Sequence, residues 1–288
     1  MILGIDTASV AGNKSIDWTA AKAAGLSFAI IRSNYGDGQD TVFAREWDRI
    51  RAATLVRGAY LFLRYPRDGK KVSEPERQAK AMINAIGPIQ PGDLPPTVDL
   101  EFPGGGRAET GMTVAECLTW ILRARGILKN EYGVDPIIYT SARVWRDDLG
   151  NSKSDALADC PLWLARYPFK KGTAVRSGAA FEGIAAPPVP PPWGDADNWW
   201  IHQYQGDATG FPGFLPVTSN VDMNRFNPLY KGSGARVRWV QRRLQIDPTG
   251  KMDIPTKAAL MEFQAKRGLV ADAIVGPRTF AYLAWQVV

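Results

Sequence analysis

The chain has 288 residues, 45% of them hydrophobic and 22% charged, enough for one large folded domain or a large domain with a small companion. No run approaches the roughly 18 consecutive apolar residues needed to span a bilayer, and two cysteines, Cys117 and Cys160, are too few for a disulfide scaffold. The single histidine, His202, excludes zinc sites built on two or three imidazoles. It sits in an aromatic, strand-like run without a marked nucleophile, so a structural or substrate-edge role is expected and the chemistry falls to carboxylates.

Eight short runs rich in apolar, β-branched or aromatic residues read as strands: Ile2–Asp6, Phe28–Arg32, Arg57–Leu63, Thr97–Glu101, Ile137–Thr140, Leu162–Arg166, Trp199–Tyr204 and Asn220–Met223. Helical patterns separate the early ones, a short one over Asp17–Ala24 and longer ones over Thr41–Leu55, Ser73–Ile86 and Thr113–Tyr132. Strands alternating with helices predict a parallel sheet, and eight of them a closed, TIM-like β/α barrel. After Thr140 the helical patterns fade, so the ring of helices is expected to be incomplete.

The proline run Pro187–Pro192 reads as a stiff loop, because a boundary there would leave the strands of His202 and Asp222 in a fragment of about forty residues, too small to bury a core. The better boundary is Lys231-Gly232-Ser233-Gly234. It divides the chain into a barrel over 1–230 and a small helical domain over 235–288. Lys and Arg balance Asp and Glu at 25 each before residue 231, whereas the remainder carries ten basic and four acidic residues. A tail of that charge is expected to meet an anionic partner, and one joined by a short linker to add local concentration without altering turnover.

Three strands end in acids with the same local shape: Gly4-Ile5-Asp6, Val98-Asp99-Leu100-Glu101 and Val221-Asp222-Met223. Residues two apart on a strand face the same way, about 6.6 Å apart, so Asp99 and Glu101 share a face. In a β/α barrel the carboxyl ends of the strands converge on one mouth. Asp6 from the first strand and Asp222 from the last become neighbours on closure, with Asp99 and Glu101 opposite. Clustered carboxylates raise one another's pKa and supply a protonated acid beside ionised partners, as glycoside hydrolysis requires. A divalent-cation site of oxygen ligands is the rival reading, but no phosphate-binding loop or EF-hand spacing accompanies the acids, so no metal or cofactor is expected. Aromatic residues Tyr35, Tyr60, Tyr65, Tyr139, Trp163, Tyr167, Trp200 and Tyr204 follow the same strands and suit a carbohydrate groove as well as core packing.

In this order, Gly4-Ile5-Asp6-Thr7-Ala8-Ser9, Ile16-Asp17-Trp18, Phe28-Ala29-Ile30-Ile31-Arg32, Gly58-Ala59-Tyr60-Leu61-Phe62, Val98-Asp99-Leu100-Glu101, Ile138-Tyr139-Thr140-Ser141, Leu162-Trp163-Leu164-Ala165-Arg166-Tyr167, His202-Gln203-Tyr204 and Val221-Asp222-Met223-Asn224 resemble glycoside hydrolase family 25, the Chalaropsis-type lysozymes. The resemblance implies cleavage of the β-1,4 bond between N-acetylmuramic acid and N-acetylglucosamine. It casts Glu101 as general acid/base, Asp99 as the carboxylate that orients the 2-acetamido group or attacks, and Asp6 and Asp222 as acids lining the cleavage subsite. Tyr60, Tyr139, Trp163, Tyr167, Gln203 and Tyr204 are the expected substrate contacts. Leu61 stands where many members have His, and His202 where the usual motif has Trp. From Arg236 to Leu283 the tail resembles a three-helix peptidoglycan-binding domain, with Val237, Val240 and Leu244 on one helical face.

The resemblance implies bacterial peptidoglycan as the partner, with anionic surface polymers as a further partner through the basic tail. A monomer is expected, and no nucleic-acid partner, since the tail carries no recognised nucleic-acid motif. Met1 leads directly into the first strand without a secretory leader. The expectation is therefore a phage endolysin made in the host cytoplasm and released to the wall. A non-catalytic wall-binding barrel is the alternative, and a peptidoglycan amidase or peptidase is disfavoured by the lone histidine.

Overall fold

The computed structural model describes residues 2–286 apart from 13–14, 68, 103, 176–183 and 217–219. Eight strands close a barrel: β1 (Ile2–Thr7), β2 (Leu26–Tyr35), β3 (Val56–Phe62), β4 (Thr97–Asp99), β5 (Ile137–Ser141), β6 (Leu162–Ala165), β7 (Ile201–Thr209) and β8 (Asn220–Phe226). Neighbours from β1 through β7 are parallel. Strand β8 is antiparallel to both β7 and β1 and closes the circle. The short connection from β7 to β8 has no room for the crossover that a parallel pair needs.

Four helices cover the first half of the barrel: α1 (Trp18–Ala23), α2 (Phe43–Ala52), α3 (Pro75–Ile86) and α4 (Val114–Tyr132). Their starts follow local chemistry. Asp17 accepts from the Ala20 amide, and Thr113 with Glu116 forms a reciprocal capping box. Between β5 and β8 the described residues contain only a short π-helical turn at Val144–Asp148 and a 3-10 turn at Asp155–Leu157, so the ring of helices is incomplete as expected. Residues 176–183, which precede the proline run Pro187–Pro192, lie outside the described residues.

Strand alternation divides the core. Ile5, Ile31 and Leu61 face outward and pack with Phe43, Met82 and Ile121 under the helices. Phe28, Ile30, Tyr60, Tyr139, Trp163 and Phe226 fill the barrel interior. Gly4 is required here, because a Cβ at that position would lie 2.1 Å from the Phe28 ring.

The interior core continues out of the barrel floor, where the parallel strands begin, into the tail helices α5 (Ala235–Arg243), α6 (Ile254–Lys266) and α7 (Pro277–Ala284). Val237 and Val240 are fully buried as their helical spacing predicts, with Leu244 packed alongside. Trp200 lies at this seam, with ring centroids 4.7 Å from Phe280 and 5.4 Å from Trp239. It therefore lines no groove at the mouth, because it precedes β7 at the opposite end of that strand. Polar contacts reinforce the seam: Arg242 pairs with Asp159 at 2.8 Å, and the Trp285 indole donates to the Asp93 carbonyl at 2.8 Å.

The expected linker is itself structured. Gly234 donates to the Gly250 carbonyl, Met252 donates to the Gly232 carbonyl, and Ser233 bridges Lys251. The tail is docked on the barrel rather than tethered to it. Part of its positive charge serves this docking, since Arg236 reaches the Asn227 carbonyl and Arg278 the Thr54 carbonyl.

Candidate active site

The acids meet at the mouth opposite the tail. Asp6, near the end of β1, is the Cα partner of Asp222, near the start of β8. Asp222 therefore does not end its strand as the sequence pattern suggests. The reversed direction of β8 brings its beginning to the end where the parallel strands finish. Asp99 ends β4, and Glu101 follows two residues later.

Amides hold the floor of the cluster. Gln203 Nε2 donates to Asp6 Oδ1 at 2.7 Å and to Asp222 Oδ2 at 3.3 Å. Asn224 Nδ2 donates to Asp6 Oδ1 at 2.6 Å, and the Asp207 backbone amide to Asp222 Oδ1 at 2.6 Å. The amide groups are oriented in turn: the Tyr139 and Tyr167 hydroxyls donate to Gln203 Oε1 at 2.7 and 2.5 Å, and the Trp163 indole to Asn224 Oδ1 at 2.8 Å. A carbonyl that accepts two hydroxyls fixes the flip of the Gln203 amide, so its N–H groups must face the acids.

All four carboxyls titrate above the ordinary range. Burial and the Asp222 charge raise Asp6, against the two amide donors. Burial, then Glu101 and Asp6, raise Asp99, whose Oδ1 is buried without a hydrogen-bond partner. Burial raises Glu101, opposed by the Tyr139 hydroxyl and by the positive charges of Lys171 and Arg143. Asp222 is pushed up to about 6, chiefly by burial. Each ionised carboxyl disfavours ionisation of its neighbours, so the cluster releases its protons later than isolated carboxyls would, the condition for a donating acid beside ionised partners.

Besides Arg143, two cations limit this effect, and the sequence reading gives a role to neither. Arg32, at the inward end of the Phe28–Ile30–Arg32 alternation, lowers Asp99 while bound to Asp40 at 2.7 Å. Lys171, paired with Asp207 at 2.9 Å, lowers Glu101 and Asp222. Asn224 was equally unassigned, although its spacing of two from Asp222 already places both on the inner face.

The expected substrate contacts divide. Tyr60, Tyr139, Trp163 and Gln203 are inside the barrel directly around the acids but are nearly fully buried, so they orient carboxylates more than they offer surface. Tyr60 and Val221 help line a cavity of about 90 Å³ with Asp6, Asp207 and Asp222. Tyr167, 44% exposed, is the open ring beside Gln203, and Tyr35, 41% exposed, stacks obliquely on Phe62 with the Arg64 guanidinium above it. Tyr204 stands apart. It is fully buried, adjacent to inward-facing Gln203 and therefore on the other face of β7, in the layer under Phe169.

His202 shares that outer face. Its Nδ1 accepts from Arg225 at 3.0 Å, its Nε2 lies 2.8 Å from the Arg166 carbonyl, and burial pushes its pKa down to about 4. The ring is a neutral structural donor. Both cysteines are buried free thiols.

Residues 5–213 match the model of glycosyl hydrolases family 25, and residues 233–283 match a peptidoglycan binding domain model. Lysozyme M1 of Streptomyces globisporus is 30% identical over 239 residues, covering 82% of this chain and 70% of that protein. The N,O-diacetylmuramidase of Chalaropsis is 29% identical over 180 residues, covering 60% of this chain and 81% of that protein. Among solved structures, a bacterial lysozyme from Streptomyces coelicolor aligns with a TM-score of 0.62 at 29% identity, covering 82% of this chain and 94% of that one. With its fold, its acid cluster and a match over most of its length in agreement, the chain belongs to glycosyl hydrolases family 25.

Proposed function

We propose that the chain is a muramidase that hydrolyses the β-1,4 bond between N-acetylmuramic acid and N-acetylglucosamine in bacterial peptidoglycan. The observation that carries this reading is the convergence of Asp6, Asp99, Glu101 and Asp222 on one barrel mouth, all with raised pKa values. Glu101 is the least enclosed of the pair on β4 and its extension, and it is the proton donor to the glycosidic oxygen. Asp99 lies deeper with a free oxygen. It holds the 2-acetamido group as that group assists, or attacks the anomeric carbon itself; either route retains configuration. Asp6 and Asp222, held by Gln203 and Asn224, set the negative field that favours the oxocarbenium-like transition state.

Residues 235–288 are the wall-binding part of the molecule and residues 1–230 the catalytic part, a division in keeping with the matched segments. Together they fit an endolysin-type role in opening a bacterial wall. The test is mass spectrometry of the fragments released from purified peptidoglycan. Muramidase action gives new reducing ends on N-acetylmuramic acid; free amino groups, or no release, refute it.

A further inference from the structure

The seam between barrel and tail holds a second polar crevice, of about 340 Å³, on the side of the molecule away from the acid cluster. Arg51 enters it from the end of α2, Arg267 from the end of α6 and Arg278 from the start of α7, with Tyr282, Gln90 and Asp93 completing the wall. Residues more than 200 positions apart in sequence thus bring three guanidiniums to one concavity. It exists only because the tail is docked.

The charge there is not cancelled from within. Asp93 is the one carboxylate in the lining, and it is already committed to Arg57 at 3.0 Å and to Arg51. Arg57 also meets Asp48, whose side chain is 90% exposed. Arg267 and Arg278 form no ion pair among the described residues. Arg278 donates to the Thr54 carbonyl at 3.0 Å, and Arg267 lies over the Phe263 ring and donates to the Gln286 side chain at 3.4 Å. Lys22 donates to the Thr54 hydroxyl on the same turn and adds a further positive charge nearby.

We propose that this crevice binds a phosphate group of an anionic wall polymer, an inference that rests on the wall-binding reading of the tail and locates part of that binding. Guanidiniums approaching from three sides match a tetrahedral oxyanion, which accepts hydrogen bonds in several directions. A carboxylate is planar and is satisfied by one fork. The crevice holds the polymer at the barrel floor and leaves the acid-lined mouth free to face glycan strands.

The test uses the full chain. Binding to purified walls carrying phosphodiester polymers is compared with binding to the same walls after acid stripping of those polymers. The variants are R267A/R278A and the charge reversal R267E. The latter leaves the Arg278–Thr54 contact intact, so a folding defect in the double variant does not decide the matter. A control, K80A/K153A, removes two exposed charges elsewhere. The expected result is about tenfold weaker binding of both crevice variants to unstripped walls, as two partly exposed charge pairs supply. Binding to stripped walls and turnover of a soluble glycan fragment stay unchanged, and inorganic phosphate competes better than chloride at equal ionic strength. Equal binding by wild type and crevice variants overturns the inference. So does an equal loss on stripped walls, which points to peptidoglycan carboxylates, or an equal loss in the lysine control, which points to net charge. Failure of the wild type to bind either wall removes the wall-binding reading itself.

Discussion

Gln203 stands between Asp6 and Asp222, with one side-chain nitrogen 2.7 Å from Asp6 Oδ1 and 3.3 Å from Asp222 Oδ2. Two tyrosine hydroxyls hold its oxygen from behind. Replacing it by glutamate removes the donors and adds a fifth carboxyl to the cluster. Q203E is expected to lose about 10²-fold in kcat, in keeping with the loss of preorganised hydrogen bonds around a charged transition state. Gln203→Ala, which leaves space for water, is expected to lose less. Steady-state kinetics on a soluble glycan would show the ordering, and equal kcat values would remove the orienting role.

Glu101→Gln keeps the shape of the side chain but cannot donate an acid proton. General acid–base help is typically worth about 10²–10⁴-fold, so turnover is expected to fall within that range while circular dichroism stays unchanged. A folded variant that clears walls near the wild-type rate assigns the acid elsewhere, with Asp99 as the next candidate.

Asp99→Asn is expected to be inactive yet more stable at pH 7. Burial and the neighbouring carboxylates raise the Asp99 pKa in the folded state. The carboxyl is therefore better tolerated protonated, and its ionised form costs stability as pH rises through the folded value. A neutral amide avoids that cost. The melting temperature should exceed wild type by about 2–4 °C at pH 7, the scale of 1 kcal/mol in a chain of this size. The gap should narrow as pH falls through the folded value and close only below the ordinary Asp range, where the wild-type carboxyl is protonated in both states. A gap that widens on acidification contradicts the raised pKa.

Lys171 holds down the pKa values of Glu101 and Asp222 and forms an exposed ion pair with Asp207, whose amide binds Asp222. Lys171→Met removes a positive charge and leaves Asp207 uncompensated, and both changes raise the acid pKa values. The alkaline limb of the pH–activity profile, where Glu101 loses its proton, should therefore move up. High salt should reduce the shift, since Lys171 is largely exposed. A shift downward would mean that Glu101 is not the group titrating on that limb.

How far the sequence could be read depended on whether the signal was local. Strand alternation and helix caps act over a few residues, so β1 to β7, the capped α1 and α4, and the shared face of Asp99 and Glu101 were all legible. The direction of β8 was not, because the acid-bearing run Val221-Asp222-Met223 looks the same read from either end. Only the length of the connection decides it. Tyr204 looked like a groove aromatic because composition ignores parity, and its neighbour Gln203 took the inward position. Arg32 was hidden inside an apolar run, and its partner Asp40 lies beyond the end of its strand. The docking of the tail was hidden as well. Trp200, Phe226 and Phe280 are separated in sequence by 26 and 54 residues, and nothing local announces that their rings meet.

That docking changes what truncation must do. A tethered binding module could be cut off without loss, but removing residues 231–288 here uncovers Trp200, Phe226 and Leu229 and opens the barrel floor beneath Phe28. Fully burying one such aromatic is worth about 1.5–3 kcal/mol, against a total stability of about 5–15 kcal/mol for a typical domain. The truncated barrel is therefore expected to be strongly destabilised or aggregated rather than a free-standing enzyme. Phe280→Ala tests the seam without deletion. It empties a fully buried site between Trp200, Phe226 and Trp239 and should cost about 3–5 kcal/mol. Turnover on a soluble glycan, measured well below the lowered melting temperature, should stay close to wild type because the acids lie at the far end of the barrel. The decisive measurement is the unfolding profile. One cooperative transition that shifts as a whole, followed by barrel tryptophan fluorescence and by loss of activity, is the result expected of a shared core. Two separate transitions, with only the tail's moved by the substitution, would restore the picture of an independent module on a string.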